Sequence, residues 1–528
     1  MSERRLFPIF VLTILATSIS ECCGHRILGI FALNAPSHMA MFEQLMKGLA
    51  RRGHQVDVIS TFPQKKPYPN YTDITIPSPP RQLVNNMSYD YVQLFERSNV
   101  LDTITMEFGY NLCEKGFTYP AFQKLIKNPP NDPPYDLVIT EIFGANCFMI
   151  FGHHLKIPMI GVTSAPPFPW TNDFVANPQN LAYIPNNLIG LMEMTKFSNR
   201  LYNVIHSVYS KLYFNYFTAM QDNIIKSHFG PSSPSIRELE RDLALILANS
   251  HMSLNGVKPI TPALVEVGGL HIQDDDIEFP TGHKEWLDES KNGFIYFTFG
   301  SMITIESFPR SLLENMYKSF RNIAPVRVFM KVPHPEMLPP GLPNNVRTFV
   351  WAPQLKVLKH KNIRAFITHG GLMGTQEAVA CAVPMIGLPL FFDQFMNIDL
   401  YVSKKIAIRV DYYDLNTESF DAALNEVLHN PMYRKMAKEV SEKFLDRPLS
   451  PLDEACYWIE YVTRHGSKSL RSPAFDLSWW QIDLLDVYAF FIIASIGIIG
   501  ILLSLIRFMI DIDGGSSVMI YRHDKKSD

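Results

Sequence analysis

Residues Phe349 to Asn397 read FVWAPQLKVLKHKNIRAFITHGGLMGTQEAVACAVPMIGLPLFFDQFMN. Two short apolar runs, Arg364 to Thr368 and Met385 to Leu388, bracket a glycine pair and a segment of helical character that starts near Gly374. Strand, glycine turn, helix and strand make a βαβ unit, which implies a parallel sheet. Exposed amides at a helix start attract phosphate, and glycine lets the backbone come close to it. His369 can add a donor to the same oxygens, with Gly371, Gly374 and Thr375 around it. Trp351 offers a flat face for a base. Gln354 can bond the base or ribose, and Glu377, one turn into the helix, can hold ribose hydroxyls. Asp393 and Gln394 follow the next strand and can bond the hydroxyls of a sugar ring. Each residue alone has an ordinary structural explanation; the order and spacing together suit a base, a pyrophosphate and a sugar.

Further strand candidates surround this unit: Phe294 to Phe299, Val326 to Val332, Arg347 to Val350 and Ala407 to Val410. An earlier series has the same character. His25 to Leu33 is a buried-strand run, Phe42, Leu45, Met46 and Leu49 repeat at helical spacing, and Val56 to Ser60, Asp136 to Thr140 and Met159 to Val162 are strands. Between the series, residues 260–284 hold a stretch rich in Pro, Gly and Asp that reads as a linker. The expected organisation is an α/β chain of two doubly wound domains, 25–259 and 285–465, with ligands beyond the carboxyl ends of the strands in the cleft between them. From Tyr183 to Phe217 an aromatic stripe includes Phe197, Tyr202, Tyr209, Leu212 and Tyr216. A packed helix is the expectation there, and an acceptor pocket or a surface resting on a membrane is the other reading.

The chain has 528 residues, 47% hydrophobic and 19% charged, with a net charge of -3. That excludes a disordered protein and gives no reason to propose nucleic acid as a partner. Six cysteines are too few for a disulfide framework, and Cys113, Cys147, Cys381 and Cys456 lack the C-x-x-C spacing of a zinc site.

Both ends carry addresses. Arg4 and Arg5 precede an apolar run and then small residues, so 1–24 reads as a signal peptide. Residues 466–486 form a juxtamembrane segment with Trp479 and Trp480, and 487–506 are long and apolar enough to span a bilayer. The tail, 507–528, carries Arg507, Arg522, Lys525 and Lys526, which places it in the cytosol and the bulk of the chain in the lumen. Lys525 and Lys526 resemble a dilysine retrieval signal of the endoplasmic reticulum. Asn70 and Asn86 head glycosylation sequons.

The signature resembles that of the UDP-glycosyltransferases, and HGGLMGTQEA is most similar to the insect members. The resemblance extends to FGSM at Phe299 to Met302, DRPLSPLDEA at Asp446 to Ala455, the span and the lysine tail. It implies a GT-B fold, two Rossmann-like domains facing a cleft plus a C-terminal transmembrane helix. It implies a UDP-sugar as co-substrate with no resident cofactor, a small lipophilic acceptor on the first domain, and room for a homo-oligomer. By the same resemblance Ser301 reaches the phosphates, and His38 aligns with the catalytic histidine, the base that takes a proton from the acceptor hydroxyl. Relatives place an Asp where this chain has Glu141, which is expected to orient His38. Many relatives have Asn where this chain has Met373, so backbone amides, His369 and Ser301 are expected to hold the phosphates. The expected reaction is inverting transfer of a hexose, with glucose favoured, as in conjugation of lipophilic compounds.

Two other readings stand beside this one. A carrier of small lipophiles on the same scaffold would account for Met373 and Glu141. A nicotinamide-dependent oxidoreductase is disfavoured, because Asn34 to His38 lacks Gly-x-Gly-x-x-Gly. Asp274-Asp275-Asp276 contains an Asp-x-Asp, but no apolar strand leads into it, and no metal requirement is expected.

Overall fold

The computed structural model describes residues 24–78, 84–190, 192–274 and 277–523, the last eleven of these by backbone only. Most of the expected signal peptide, Asp275, Asp276, Lys525 and Lys526 lie outside the described residues. The chain divides into two compact units, Met1–Arg471 and Ser472–Asp528, which are described separately.

In the larger unit the first sheet begins with β1 (Arg26–Phe31). Helix α1 (Pro36–Arg51) follows, opened by Pro36, whose missing N–H costs nothing in a first turn. Phe42, Leu45, Met46 and Leu49 line its buried face, and the chain leaves it through Gly53 at φ +92°. Then come β2 (Gln55–Ser60), β3 (Tyr71–Thr75), the short helix α2 (Tyr89–Arg97), β4 (Leu137–Glu141) and β5 (Met159–Thr163). The sheet is completed by the long helix α3 (Phe197–Thr218), β6 (Leu243–Ala248) and β7 (Leu264–Glu266). Its order is β3-β2-β1-β4-β5-β6-β7, and every pairing is parallel. β7 lies inside the stretch expected to be linker, so the first sheet reaches further along the chain than the Pro, Gly and Asp content suggests.

The second sheet is built from β8 (Phe294–Thr298), β9 (Arg327–Lys331), β10 (Val346–Phe349), β11 (Ile363–Thr368), β12 (Met385–Gly387) and β13 (Ala407–Arg409). Helix α4 (Leu372–Ala380) connects β11 to β12, and α5 (Asp393–Ser403) connects β12 to β13. The order is β10-β9-β8-β11-β12-β13, again parallel throughout. In each sheet the strand order reverses at one place, between β1 and β4 and between β8 and β11. A crevice opens there at the strands' carboxyl ends.

Two segments cross from one half to the other. Helix α6 (Pro451–His465), expected with the second domain, packs Leu452, Cys456 and Ile459 into the core that holds α1. Arg52 binds Asp453 at 2.9 Å and Glu460 at 3.2 Å across this contact. In the other direction, Met87 and Val92 join the core of the second sheet, and the amides of Asn85 and Asn86 donate to the carbonyls of Ser301 and Met302.

Helix α3 overturns the expectation of a packed aromatic stripe. Its buried residues are Asn203, Ser207, Ser210, Phe214 and Thr218, while Phe197 and Tyr216 are more than 70% exposed. The stripe faces outward. One disulfide, absent from the sequence reading, joins Cys113 to Cys147 with their Cα atoms 6.1 Å apart.

In the smaller unit, α7 (Leu485–His523) contains Leu485–Ile512, a stretch apolar and long enough to cross a bilayer and unburied within the chain.

Candidate active site

A cavity of about 1020 Å³ opens between the two sheets at their reversal points. His38, Ser301, Trp351, Gln354, His369, Gly371, Gly374, Glu377, Asp393 and Gln394 all line it. Residues more than three hundred positions apart meet there because His38, Ser301 and His369 follow the carboxyl ends of β1, β8 and β11, the strands next to the reversal points, and Trp351 and Asp393 follow β10 and β12 of the same sheet as β8.

His38 stands in the first turn of α1. Its Nδ1 lies 2.6 Å from the Oε1 of Glu141, a buried carboxylate at the end of β4. The strand pairing of β1 with β4 creates this contact. A carboxylate at Nδ1 holds the proton there, which leaves Nε2 as the ring's acceptor. Phe143 packs edge-on against the imidazole at 4.9 Å, and Phe168 follows Phe143 at 5.5 Å. With Val100, Ile104, Phe108 and Leu188 these rings make the apolar end of the cavity. Thr103–Tyr110 is wound as a π-helix, a wide turn that presents Ile104 and Phe108 to the same space.

The opposite end is polar. The His369 ring sits between two glycines, where a Cβ on Gly300 would come 2.8 Å from its Cε1 and one on Gly371 2.7 Å from its Nε2. Gly300, at φ +77°, could not carry a side chain without strain in any case. Burial, with Lys331 nearby, holds His369 down to about 4, so the ring is neutral and carries a single N–H. Its Nδ1 finds no hydrogen-bond partner within the described protein. Gln354 Nε2 donates to Glu377 Oε2 at 2.6 Å, which ties the two side chains together at the cavity wall. Burial pushes the Glu377 carboxyl up to about 7, against the pull of Gln354. Trp351 is half exposed and opens onto the cavity.

Asp393 begins α5 and faces His38 across the cleft. Enclosure raises its carboxyl above the ordinary value, while the Asn397 hydrogen bond and His38 act the other way. Asn397 donates to Asp393 at 2.8 Å and to the Gly370 carbonyl at 3.0 Å, which ties the start of α5 to the glycine turn. Gln394 Oε1 accepts from the amides of Leu390 and Phe391, which leaves its NH₂ group to meet a ligand.

Thr375 does not reach the cavity wall. Its hydroxyl bonds the Gly371 carbonyl at 3.1 Å and the Tyr401 hydroxyl at 3.0 Å inside the α4–α5 contact. Asn70 and Asn86 lie on the surface, away from the cavity lining. Met373 turns its thioether toward the first sheet, 3.4 Å from Asn249 Nδ2, and its carbonyl accepts from His271 Nε2 at 3.0 Å. It joins the two halves of the chain and supplies nothing polar from its side chain.

Lys331 was missed in the sequence. Its ammonium donates to the Gly300 carbonyl at 2.6 Å and to Asn85 Oδ1 at 2.8 Å. Burial lowers it to about 8, opposed by Glu306. The one available signal was its place as the last residue of β9, aimed at the cleft. Asp274, part of the Asp-x-Asp, is on the surface and pairs with Lys359.

The family model for UDP-glucoronosyl and UDP-glucosyl transferase matches residues 31–513. UDP-glucosyltransferase 2 of Dactylopius coccus is 33% identical over 493 residues, 92% of this chain and 93% of that protein. UDP-glucuronosyltransferase 2B1 of Rattus norvegicus is 27% identical over 490 residues, 88% and 90% of the two chains. Among solved structures, Phytolacca americana UGT2 complexed with UDP-2fluoro-glucose and pterostilbene superposes with a TM-score of 0.57 at 16% identity. That match covers 84% of this chain and all of the other. The glycotransferase of kitacinnamycin gives 0.56, covering 83% and 98%. These likenesses give the two-sheet arrangement its name, GT-B, and the chain belongs to the UDP-glucoronosyl and UDP-glucosyl transferase family as a UDP-glycosyltransferase.

Proposed function

We propose that the chain transfers glucose from UDP-glucose to a hydroxyl of a small lipophilic acceptor, with inversion at the anomeric carbon. The observation that carries this reading is the 2.6 Å contact of His38 with Glu141, in the same cavity as the His369 loop and Asp393. His38 Nε2 takes the acceptor proton as the acceptor oxygen bonds to the anomeric carbon. The bond from that carbon to the diphosphate breaks on the opposite face, and UDP leaves. Donors around the diphosphate (Ser301, His369 and the α4 amides) stabilise the departing charge. Trp351 stacks on the base, Glu377 holds the ribose, and Asp393 and Gln394 hold the sugar. A general base in this position contributes roughly 10²–10⁴ in rate. The apolar rings beside His38 suit a flat, lipophilic acceptor.

Glucose is favoured because one relative matched over most of its length, 33% identical over 92% of this chain, bears the name UDP-glucosyltransferase. A lumenal setting in the endoplasmic reticulum, with a membrane anchor in Leu485–Ile512, is supported by that stretch, by the Cys113–Cys147 disulfide and by two exposed sequons. Microsomes expressing the full chain, given UDP-glucose or UDP-glucuronate with a panel of phenols and alcohols, test the reading. Glucoside of inverted configuration, lost in His38→Ala, is expected. UDP binding without transfer to any acceptor would make the chain a carrier.

A further inference from the structure

Strand β8 sends Phe294 and Tyr296 to one face of the second sheet and Ile295 and Phe297 to the other. On the first face Tyr296 lies in a layer of rings. Phe366 is 5.3 Å away with planes at 15°, Phe349 is 5.9 Å away at 17°, and Phe329 is 6.3 Å away at 30°. A phenylalanine would pack there as well. The hydroxyl sets Tyr296 apart, and Tyr296 also lines the cavity beside Gln354 and Glu377.

The polar groups form a chain with one direction. An ionised carboxylate only accepts, so Gln354 turns its NH₂ group to Glu377 Oε2 at 2.6 Å and its carbonyl oxygen to the phenol, which donates at 3.3 Å. Burial, and then the Glu377 carboxylate, push the phenol above its ordinary value, so it keeps the proton it donates. Accepting from Tyr296 polarises the amide and strengthens its donation to Glu377. On the other flank, Glu377 Oε1 lies 4.0 Å from His271 Nε2. Burial holds His271 down to about 4, and its one N–H is committed to the Met373 carbonyl at 3.0 Å. Among the described residues this leaves Oε1 to meet a ligand.

We infer that Tyr296 is a positioning residue of the donor site: through Gln354 it fixes the Glu377 carboxylate to receive the hydroxyls of a ribose, so that the cavity selects ribonucleotide over deoxyribonucleotide donors. The inference rests on the reading of Glu377 as the group that holds the ribose. A site built to hydrogen-bond a hydroxyl rejects the analogue that lacks it, because a buried polar group is then left unpaired. That penalty is large when the carboxylate cannot turn to another partner. The link from Tyr296 through Gln354 denies it that freedom.

The test is isothermal titration of the full chain with UDP and with 2′,3′-dideoxy-UDP, whose sugar lacks both hydroxyls. The parent chain should prefer UDP by roughly tenfold or more. Tyr296→Phe should weaken UDP by about three- to tenfold, the contribution of one hydrogen bond, and leave dideoxy-UDP within about twofold of its parent affinity. In a Gln354→Leu background Tyr296→Phe should change neither affinity, because the link is already cut. An unchanged UDP affinity in Tyr296→Phe, or equal weakening of both ligands, overturns the inference and leaves the phenol a member of the ring layer. A loss that persists in full in the Gln354→Leu background also overturns it. No preference for UDP in the parent chain removes Glu377 from the ribose, and the inference falls with that reading. The titration reads binding without turnover, so a chain that binds UDP but transfers no sugar would lose the transfer and keep the ribose site.

Discussion

The ring of Phe95 packs edge-on against that of Phe392, with centroids 5.3 Å apart and planes at 88°. Phe95 belongs to α2, from the first half of the chain, and Phe392 immediately precedes Asp393, the residue proposed to hold the sugar. Phe392 adopts φ +54° and ψ −131°, which for a bulky side chain costs roughly 1–3 kcal/mol. Packing must hold it there, and Phe95 also meets Phe391 at 5.8 Å. An aromatic contact of this kind contributes about 0.5–1.5 kcal/mol beyond burial. Phe95→Ala should therefore raise the KM for UDP-sugar by about tenfold, with a smaller change in kcat. Phe95→Leu should recover part of the loss. Steady-state kinetics with the donor varied decides the matter; an unchanged donor KM would show that the turn holds itself.

Glu141→Gln tests the assignment of the imidazole. Glutamine can still accept from Nδ1, so the ring orientation survives, but the charge that stabilises the imidazolium is gone. The expected result is a fall in kcat of about 10²–10³ with UDP affinity intact. Glu141→Asp withdraws the carboxylate by one methylene from its 2.6 Å contact and should lie between the two. Isothermal titration with UDP, beside kcat, separates a chemical defect from a folding one.

The site was more legible than the periphery, for physical reasons. The residues proposed for phosphate, base and sugar lie close in sequence, between Trp351 and Gln394, so a short motif carries them. Buried parallel strands read as apolar runs, which is why Phe294 to Phe299, Arg364 to Thr368 and Met385 to Leu388 could be placed while Tyr71–Thr75, a polar edge strand, could not. Leu243–Ala248, LALILA, suits helix or strand equally until its neighbours are known. Helical periodicity in α3 showed which residues share a face, but not which way the face points. That depended on Asn203 finding partners at 181–186. Lys331 carries no motif, and its role appears only when β9 is set beside β8 and the Gly300 turn.

The Cys113–Cys147 bridge closes a loop over a sequence separation of 34 between two segments behind the apolar end of the cavity. Chain-entropy arguments give about 3–4 kcal/mol for such a loop. Gln221 braces the same place, donating to the Gly144 carbonyl at 2.7 Å and accepting from the Cys147 amide at 2.9 Å. The paired Cys113→Ala, Cys147→Ala variant should melt several degrees lower and show a raised KM for acceptor with the donor KM unchanged. Differential scanning fluorimetry and two-substrate kinetics provide both readings. A donor effect equal to the acceptor effect would mean general loosening.

Lys331 should make UDP binding depend on pH. Burial lowers its ammonium to about 8 in the free protein, and its hydrogen-bond partners are neutral carbonyl oxygens. A diphosphate at the adjoining Gly300–Ser301 turn would favour the charged form and raise that value on binding. The linkage then has one sign: affinity is fully present below about 8 and falls as pH rises above it, by up to tenfold per unit, until the bound-state value is passed. His369, held near 4, stays neutral throughout this window and adds no slope. Glu377, pushed up to about 7, titrates at the lower edge of this range, so the slope is read above pH 8. Titration of UDP from pH 7 to 10 should show the decline above 8 in the parent chain and a flat, weaker affinity there in Lys331→Met. A decline that persists in Lys331→Met would assign the titration to another group and remove Lys331 from the phosphate site.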